Sequence, residues 1–276
     1  MVCVALPIRG SADLPISHSS HLTEDPRVGV GGHNKTDGGS LVRSFSRAIS
    51  TRLATRCVNI TVHGIGPIDR DLAPGEDETW VGVEQFEQTL DAVAERDDVR
   101  ITFDDGNASD VQIALPRLLD RGLRAEFFVL AGLLGEAGRL RADDVRELVR
   151  AGMTIGSHGW AHRDWRRIDG KQATEEIVEA KRVLHEITGQ PVSRVAIPFG
   201  SYDRHVLRRL RQAKVTRVYT SDGGVARPQS WVQPRNSIRH DLDEAWLFRT
   251  LDRRPAITSR ARKFAARQIK RRRGQP

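Results

Sequence analysis

The sequence has little cysteine and no long apolar run, and both absences narrow what the protein can be. Its two cysteines, Cys3 and Cys57, exclude a disulfide framework and a CxxC metal pair. We interpret Cys57 as a small apolar strand residue. No stretch approaches the roughly 20 apolar residues of a membrane-spanning helix. The N-terminus lacks a basic region followed by a long apolar one, which argues against a signal peptide, so we expect a cytoplasmic protein.

Acidic residues are missing from the last part of the chain. Between Arg253 and Pro276 there are ten Lys or Arg residues and no Asp or Glu. Taking these ten positive charges from the formal net charge of +8 leaves −2 for the rest of the chain. The basic character therefore belongs to a tail, and we expect no nucleic-acid-binding face on the main domain.

The first 50 residues show no sustained hydrophobic period. They are rich in Gly, Ser, His and Asp, which is typical of a disordered or loosely ordered arm. Its histidines, His18, His21 and His33, could bind a metal, although solvated residues are the simpler interpretation. We expect a catalytic domain over residues 56–250 and a basic helix or tail over 251–276.

Short β-type runs alternate with amphipathic stretches in the expected catalytic domain. The predicted strands are 57–63, 99–103, 125–130, 153–156, 195–197 and 215–220, and the predicted helices are 83–93, 109–119, 143–150, 174–188 and 205–213. This alternation requires parallel strands with crossover helices, hence an α/β layer or a barrel. Reactive groups in such folds collect at the carboxyl ends of the strands.

Polar residues stand at several of these strand ends. His63 follows the first strand, Asp104 and Asp105 the second, His158 the fourth and Asp222 the last. An Asp pair before Gly106 would by itself be typical of a turn. Turn chemistry alone, however, does not predict metal-competent residues at the ends of several different strands.

The segment GSHGWAH places two histidines, His158 and His162, four residues apart. Gly159 stands where the helical zinc signature has Glu, which favours a loop and excludes a metalloprotease helix. Two imidazoles and one carboxylate make a three-ligand site for a divalent ion that leaves positions open for water and substrate. A second, adjacent carboxylate could then take a proton from a water whose pKa the ion lowers to about 7.

The motif TFDDG at residues 102–106, SHxxxH about fifty residues later and the Pro-Phe-Gly at 198–200 together resemble the polysaccharide deacetylases (NodB-homology domain, carbohydrate esterase family four). The resemblance covers roughly residues 57–243. It implies a distorted (β/α) barrel and removal of N- or O-acetyl groups from sugars in polymers such as chitin oligomers, peptidoglycan or exopolysaccharide.

The resemblance also implies roles for residues of this chain. Asp104 matches the catalytic base, Asp105 a metal ligand, His158 and His162 the other two ligands, and Phe199 the residue whose backbone N–H helps hold the oxyanion. The cofactor implied is a divalent metal, Zn²⁺ foremost. The partner implied is an acetylated glycan.

The chain departs from the family pattern in three places. Gly159 stands where many members have Ser or Thr, and no Arg precedes the Pro-Phe pair. Arg235 could supply that charge from another loop, or could be a surface arginine. The late Leu-x-His general acid is absent, and His240 is a poor match. Some exopolysaccharide deacetylases of the family resemble a circularly permuted form with this histidine on the first strand, which makes His63 the candidate acid; the alternative is a turn histidine.

Other residues keep two interpretations. Asp222 could orient an active-site side chain or close a turn, and Trp160 and Trp165 could stack on sugar rings or pack in the core. The basic tail could lie as an amphipathic helix on an anionic membrane surface, or pack on the barrel with a solvated charged end, which we favour. We expect a metal-dependent carbohydrate N-deacetylase. The alternatives are a non-catalytic glycan-binding relative and an O-acetyl esterase or an amidase acting on a non-sugar substrate.

Overall fold

The computed structural model describes residues 56–252, 265–270 and 272. The expected N-terminal arm and its three histidines lie outside the described residues, as does most of the basic tail. The domain limits expected from the sequence therefore stay predictions. Cys57 is 3% exposed inside the first strand, which confirms its interpretation as a small apolar strand residue.

Nine strands of the described chain form one mixed sheet. They are β1 Cys57–Val62, β2 Val99–Phe103, β3 Ala125–Val129, β4 Thr154–Ser157, β5 Arg194–Ala196, β6 Arg217–Thr220, β7 Val225–Ala226, β8 Val232–Pro234 and β9 Asn236–Ser237. Strands β1 to β6 are parallel and lie in chain order. Strand β7 is the antiparallel exception and pairs with β1.

The segment from β8 to β9, residues 232–238, nearly closes this sheet into a barrel. β8 pairs with β6, and β9, one residue later, pairs with β1. The Arg235 N–H between them donates to the Thr220 carbonyl (2.8 Å), and the Ile238 N–H donates to the Thr61 carbonyl (2.9 Å). We call residues 232–238 the closing segment. The expected distorted (β/α) barrel is confirmed.

Within residues 56–252, seven α-helices connect or follow the strands. They are α1 Val83–Val93, α2 Leu115–Asp120, α3 Ala142–Arg150, α4 Gly170–Thr174, α5 Ala180–Thr188, α6 Arg204–Gln212 and α7 Glu244–Leu251. Wider π-type turns, Asp110–Ala114 and Glu175–Glu179, lead into α2 and join α4 to α5. In this part of the chain, no helix has the length and apolar character needed to cross a membrane.

Local sequence explains where these helices lie. Helix α1 buries Phe86, Leu90 and Val93 on one face, and burying a side chain of this size contributes about 1.5–3 kcal/mol. Helix α6 begins at Asp203, whose carboxylate accepts from the backbone N–H groups of His205 and Val206. Caps of this kind satisfy donors that have no partner inside the helix. The apolar faces of the helices thus pack against the strands of the sheet.

The C-terminal helical segment, residues 265–270, attaches to the barrel through cations. Lys270 and Arg267 both contact loops of the barrel rim. Ala265, Ala266 and Ile269 are exposed, Ile269 to 54%. The sequence favoured a helix packed on the barrel with a solvated charged end. In the described residues the segment does contact the barrel, but two of its charged side chains make these contacts.

Candidate metal and catalytic site

The predicted site residues meet at the carboxyl-end rim of the barrel. His63 follows β1, Asp104 and Asp105 follow β2, His158 follows β4, Phe199 follows β5, and Arg235 joins β8 to β9. The loop expected for GSHGWAH is confirmed, because no helix forms between Ser157 and His162. Residues far apart in sequence therefore converge because parallel strands end at one edge.

Asp105, His158 and His162 form a group that could hold a metal ion. Their ligand atoms lie within 4.8 Å of one another. Asp105 Oδ1 is 3.4 Å from His158 Nε2 and 3.6 Å from His162 Nε2. His158 Nδ1 lies 3.0 Å from the Ala196 carbonyl, so we assign the ring proton to Nδ1, which leaves the Nε2 lone pair facing Asp105.

The charge state of this group suits a cation. Burial raises the pKa of Asp105, but His162 and His158 outweigh that effect and leave the pKa below its usual value. Burial, helped by His158, lowers the pKa of His162, which favours a neutral imidazole. Asp105 Oδ1 is buried and accepts no hydrogen bond within the described residues. A buried carboxylate with an unused lone pair beside two imidazoles fits a divalent ion such as Zn²⁺.

The neighbouring carboxylate, Asp104, is held by Arg235. The guanidinium donates to both carboxylate oxygens at 2.6 Å and to Thr102 Oγ1 at 3.2 Å. Arg235 is 1% exposed, so the alternative of a surface arginine is wrong. Burial raises the pKa of Asp104, but Arg235 and His158 lower it more, and the net pKa lies well below its usual range. Asp104 is therefore an oriented anion that can accept a proton.

His63 is the second candidate partner of Asp104. Its Nε2 is 3.9 Å from Asp104 Oδ2, and its side chain is 17% exposed. His63 Nδ1 is buried and makes no hydrogen bond in the part of the chain that the structure describes. His240 is exposed and contacts the Glu78 carbonyl, which agrees with its poor match to the family acid.

Phe199 stands at the open side of the site. Its ring is 65% exposed and lies 4.3 Å from the His162 ring, centroid to centroid. Its φ of 58° is left-handed, as are the φ values of Asp105 (76°) and His162 (56°). Three strained non-glycine residues in one site are typical of functional geometry, because such backbone persists only where its surroundings hold it.

Glu176 is a site residue that the sequence interpretation missed. It is fully buried in the π-type turn before α5, and it accepts from the backbone N–H groups of Trp160 and Ala161 and from Trp165 Nε1, each at 3.0 Å. The two N–H groups lie between the ligand candidates His158 and His162. Glu176 therefore fixes the loop that presents both imidazoles.

The same contact explains why Gly159 replaces Ser or Thr. A Cβ at Gly159 would lie 2.3 Å from Glu176 Oε2, and the φ of +99° is one that other residues rarely adopt. A signal for Glu176 was present in the sequence. An acid between the apolar positions Ala173, Ile177 and Ala180 lies on the buried face of the helix, where an acid needs a partner.

The two tryptophans and Asp222 also take definite places. Trp165 is 1% exposed and packs in the core, while Trp160 is partly buried against Gly132, so the structure favours packing over sugar stacking for both. Asp222 is more than a turn residue. It accepts from Tyr202 Oη (2.8 Å), Thr220 Oγ1 (2.9 Å) and Lys270 Nζ (2.9 Å).

Comparison with known proteins identifies this region. Residues 91–218 match the family model described as polysaccharide deacetylase. YxkH of Bacillus subtilis (strain 168), named as a polysaccharide deacetylase, is 26% identical over 128 residues, 46% of each chain. The chitooligosaccharide deacetylase of Bradyrhizobium sp. (strain ANU 289) is 26% identical over 138 residues, 49% of this chain and 59% of that protein. The match thus spans about half the length of these relatives.

Solved structures share the barrel. The deacetylase PplD of Streptococcus pyogenes, solved in complex with acetate, superposes with a TM-score of 0.62 at 20% identity, covering 71% of this chain and 98% of that one. A likeness at this identity shows the fold, and the family match supplies the relationship. Residues 91–218 therefore match the polysaccharide deacetylase family, and the barrel around them has the fold of solved deacetylases.

Proposed function

We propose that this protein is a metal-dependent hydrolase that removes acetyl groups, N-acetyl foremost, from a carbohydrate polymer or glycan precursor. One observation carries the proposal: two adjacent carboxylates have different partners. Asp105 lies among imidazoles with a lone pair unused, whereas Asp104 is held by Arg235. A turn needs neither arrangement, but hydrolysis needs a place for a cation and a separate base.

Asp105, His158 and His162 would hold the ion, with Zn²⁺ the expected metal. When bound, the ion supplies polarisation of the acetyl carbonyl and acidification of a water. That acidification matters here, because Arg235 makes Asp104 a weak base by lowering its pKa. Asp104 accepts the proton of the attacking water, and Arg235 keeps its carboxylate oriented.

Two further residues complete the proposed chemistry. The Phe199 backbone N–H is the donor aimed at the negative oxygen that develops during acyl transfer. His63, with Nε2 3.9 Å from Asp104, protonates the departing sugar amine, which an imidazole can do near neutral pH. The position of His63 directly after the first strand is consistent with the permuted subgroup of the family.

The alternative of a non-catalytic glycan-binding protein loses its main support. It drew on the Arg missing before the Pro-Phe pair, and Arg235 provides a guanidinium to Asp104 from the closing segment instead. An O-acetyl esterase or a non-sugar amidase would use the same residues. The substrate panel below separates these activities from sugar N-deacetylation.

Acetate release tests the proposal. The Bradyrhizobium relative is named for chitooligosaccharides, so the panel begins with N-acetylated chitin oligomers and adds peptidoglycan and O-acetylated xylan. We expect release that a chelator abolishes, zinc restores, and Asp104→Asn reduces at least about 100-fold while zinc still binds. Asp91→Asn, a surface change at the Arg121 ion pair, is the control. Release that neither the chelator nor Asp104→Asn affects would refute the proposal.

A further inference from the structure

The C-terminal helical segment (residues 265–270) touches two loops of the barrel rim at once. Lys270 Nζ donates to the Gly200 carbonyl at 3.2 Å and to Asp222 Oδ1 at 2.9 Å. Gly200 belongs to the loop after β5 that carries Phe199, and Asp222 belongs to the loop after β6. One ammonium group thus bridges the loop of the proposed oxyanion donor to its neighbour.

Asp222 gives this bridge a fixed end. It is 6% exposed, and its other oxygen accepts from Tyr202 and Thr220. Burial raises the pKa of Asp222, but Lys270 and Tyr202 lower it more, so the carboxylate stays ionised opposite the ammonium. Tyr202 lies three residues after Phe199, and the ammonium lies 5.4 Å from its ring centroid. The contacts therefore join the helical segment, Asp222 and the Phe199 loop into one network.

The Phe199 loop needs such support. Phe199 and Gly200 have consecutive left-handed φ values of 58° and 57°. Glycine adopts such a φ freely, but at Phe199 it persists only where the surroundings impose it. Gly200 also packs closely on Ser221, since a Cβ at Gly200 would lie 2.9 Å from the Ser221 Cβ. The Lys270 bridge thus connects two loops that already lie in contact.

The second cation of the segment, Arg267, is linked to Asp104 through the loop after β6. Arg267 donates to the Gly223 carbonyl, and the Gly223 N–H donates to the Arg235 carbonyl at 2.9 Å. Arg235 in turn holds Asp104. The loop after β6 therefore contacts Arg235, which holds the base Asp104, through Gly223. It also contacts Lys270, which binds the Phe199 loop, through Asp222.

We propose that the C-terminal helical segment is part of the active site, with Lys270 as a positioning residue that holds the Phe199 backbone N–H in place for the reaction. This inference rests on the proposed function, because it assumes the oxyanion role of Phe199. Lys270 then acts on turnover through the fold, whether or not the basic tail also contacts a membrane surface.

Variants at position 270 test the inference in the full chain. Lys270→Met removes the bridging charge, Lys270→Arg restores a donor, and Arg272→Met makes the same charge change at an exposed residue. With N-acetylated chitin pentamer, or the panel member that the wild type hydrolyses best, we expect Lys270→Met to lower kcat about 10- to 100-fold with KM and zinc affinity unchanged. Lys270→Arg should recover part of the loss, and Arg272→Met should match the wild type.

Hydrogen exchange provides a readout that does not depend on activity. Lys270→Met should speed amide exchange in peptides covering residues 198–202, and Arg272→Met should not. Unchanged kcat, unchanged exchange at 198–202, or an equal loss in Arg272→Met would each overturn the inference. If the wild type releases no acetate from any substrate, the proposed function fails, and with it the role of Lys270 in turnover; the exchange result then reports the bridge alone.

Discussion

At the scale of single residues, the two adjacent aspartates of the site have different binding partners. Asp104 and Asp105 are adjacent and both buried, yet one pairs with a guanidinium and the other with two imidazoles. Burial raises the pKa of each carboxyl, but Arg235 beside Asp104 and the two histidines beside Asp105 lower it more. Two functions can therefore occupy one dipeptide.

The role of His63 can be separated from that of the base by the choice of leaving group. A sugar amine must be protonated to leave, whereas 4-nitrophenolate leaves without an acid. We expect His63→Gln to lower kcat for chitin oligomers about 100-fold or more and to change hydrolysis of 4-nitrophenyl acetate much less. Paired assays of one enzyme preparation on both substrates measure the split. Equal losses on the two substrates would argue against an acid role, and exposed His240→Gln is the control.

Glu176 predicts that metal binding depends on a residue that is not a ligand. In Glu176→Gln, one of the three N–H groups that the carboxylate accepts loses its acceptor or meets an amide N–H. We expect stability to fall by about 1–3 kcal/mol and zinc affinity to fall about 10- to 100-fold, measured by denaturant unfolding and competitive zinc titration. Glu175→Gln, at the partly exposed neighbour that pairs with Arg163, should change neither quantity. Wild-type zinc affinity in Glu176→Gln would contradict this assignment.

At the scale of elements, the closing segment depends on side chains as much as on strand pairing. Asn236 donates to the carbonyls of Asn59 (3.1 Å) and Gly224 (3.0 Å) and accepts from the Gly224 N–H (2.6 Å). These bonds join β9 to β1 and to the loop that precedes β7. Strands β7 and β9 are only two residues long. The barrel is thus closed by an amide side chain where backbone pairing is sparse.

Removing that side chain should loosen the closure. We expect Asn236→Ala to cost about 2–4 kcal/mol, because three hydrogen bonds are lost and buried backbone groups are left without partners. Thermal unfolding measures the loss, and faster amide exchange in residues 223–238 locates it. Ser237→Ala, at the next residue, serves as the control. A stability within about 0.5 kcal/mol of wild type would show that backbone pairing alone closes the barrel.

Most of the strands and helices could be predicted from the sequence alone. Strands β1 to β6 and most helices were predicted to within a few residues, because each buries a run of apolar side chains with a clear period. Strands β7 to β9 and helix α7 were missed. None of the three missed strands holds a run of three apolar residues, and tertiary contacts such as those of Asn236 hold β9 in place.

The site divides in the same way. Asp104, Asp105, His158 and His162 lie in compact motifs, so the sequence alone brings them to notice. The Arg235–Asp104 pair joins residues 131 positions apart, and Glu176 was one of four acids in the predicted helix 174–188. Contacts that only the closed barrel creates could be suspected from sequence but not established.

At the scale of the whole molecule, a bound ion should stabilise the fold. The ligand candidates come from the loops after β2 and β4, so they are together only in the native state. A ligand that binds the native state alone adds about 2.7 kcal/mol at 100 times its Kd, which corresponds to several degrees in Tm. We expect a chelator to lower Tm by that amount and zinc to restore it. His162→Ala should abolish the response, and a chelator effect that persists in this variant would place the ion elsewhere.

Because Arg235 lies in the closing segment, the proposed activity requires that this late part of the chain has been synthesised. Asp104 is synthesised 131 residues before its guanidinium partner, Arg235. Arg235 lies in the closing segment, which joins β6 to β1. Until then the acid lacks its counter-charge and its fixed direction. A ribosome-bound or clipped product that ends before residue 232 should therefore be inert toward acetylated sugars, even with every motif residue already made.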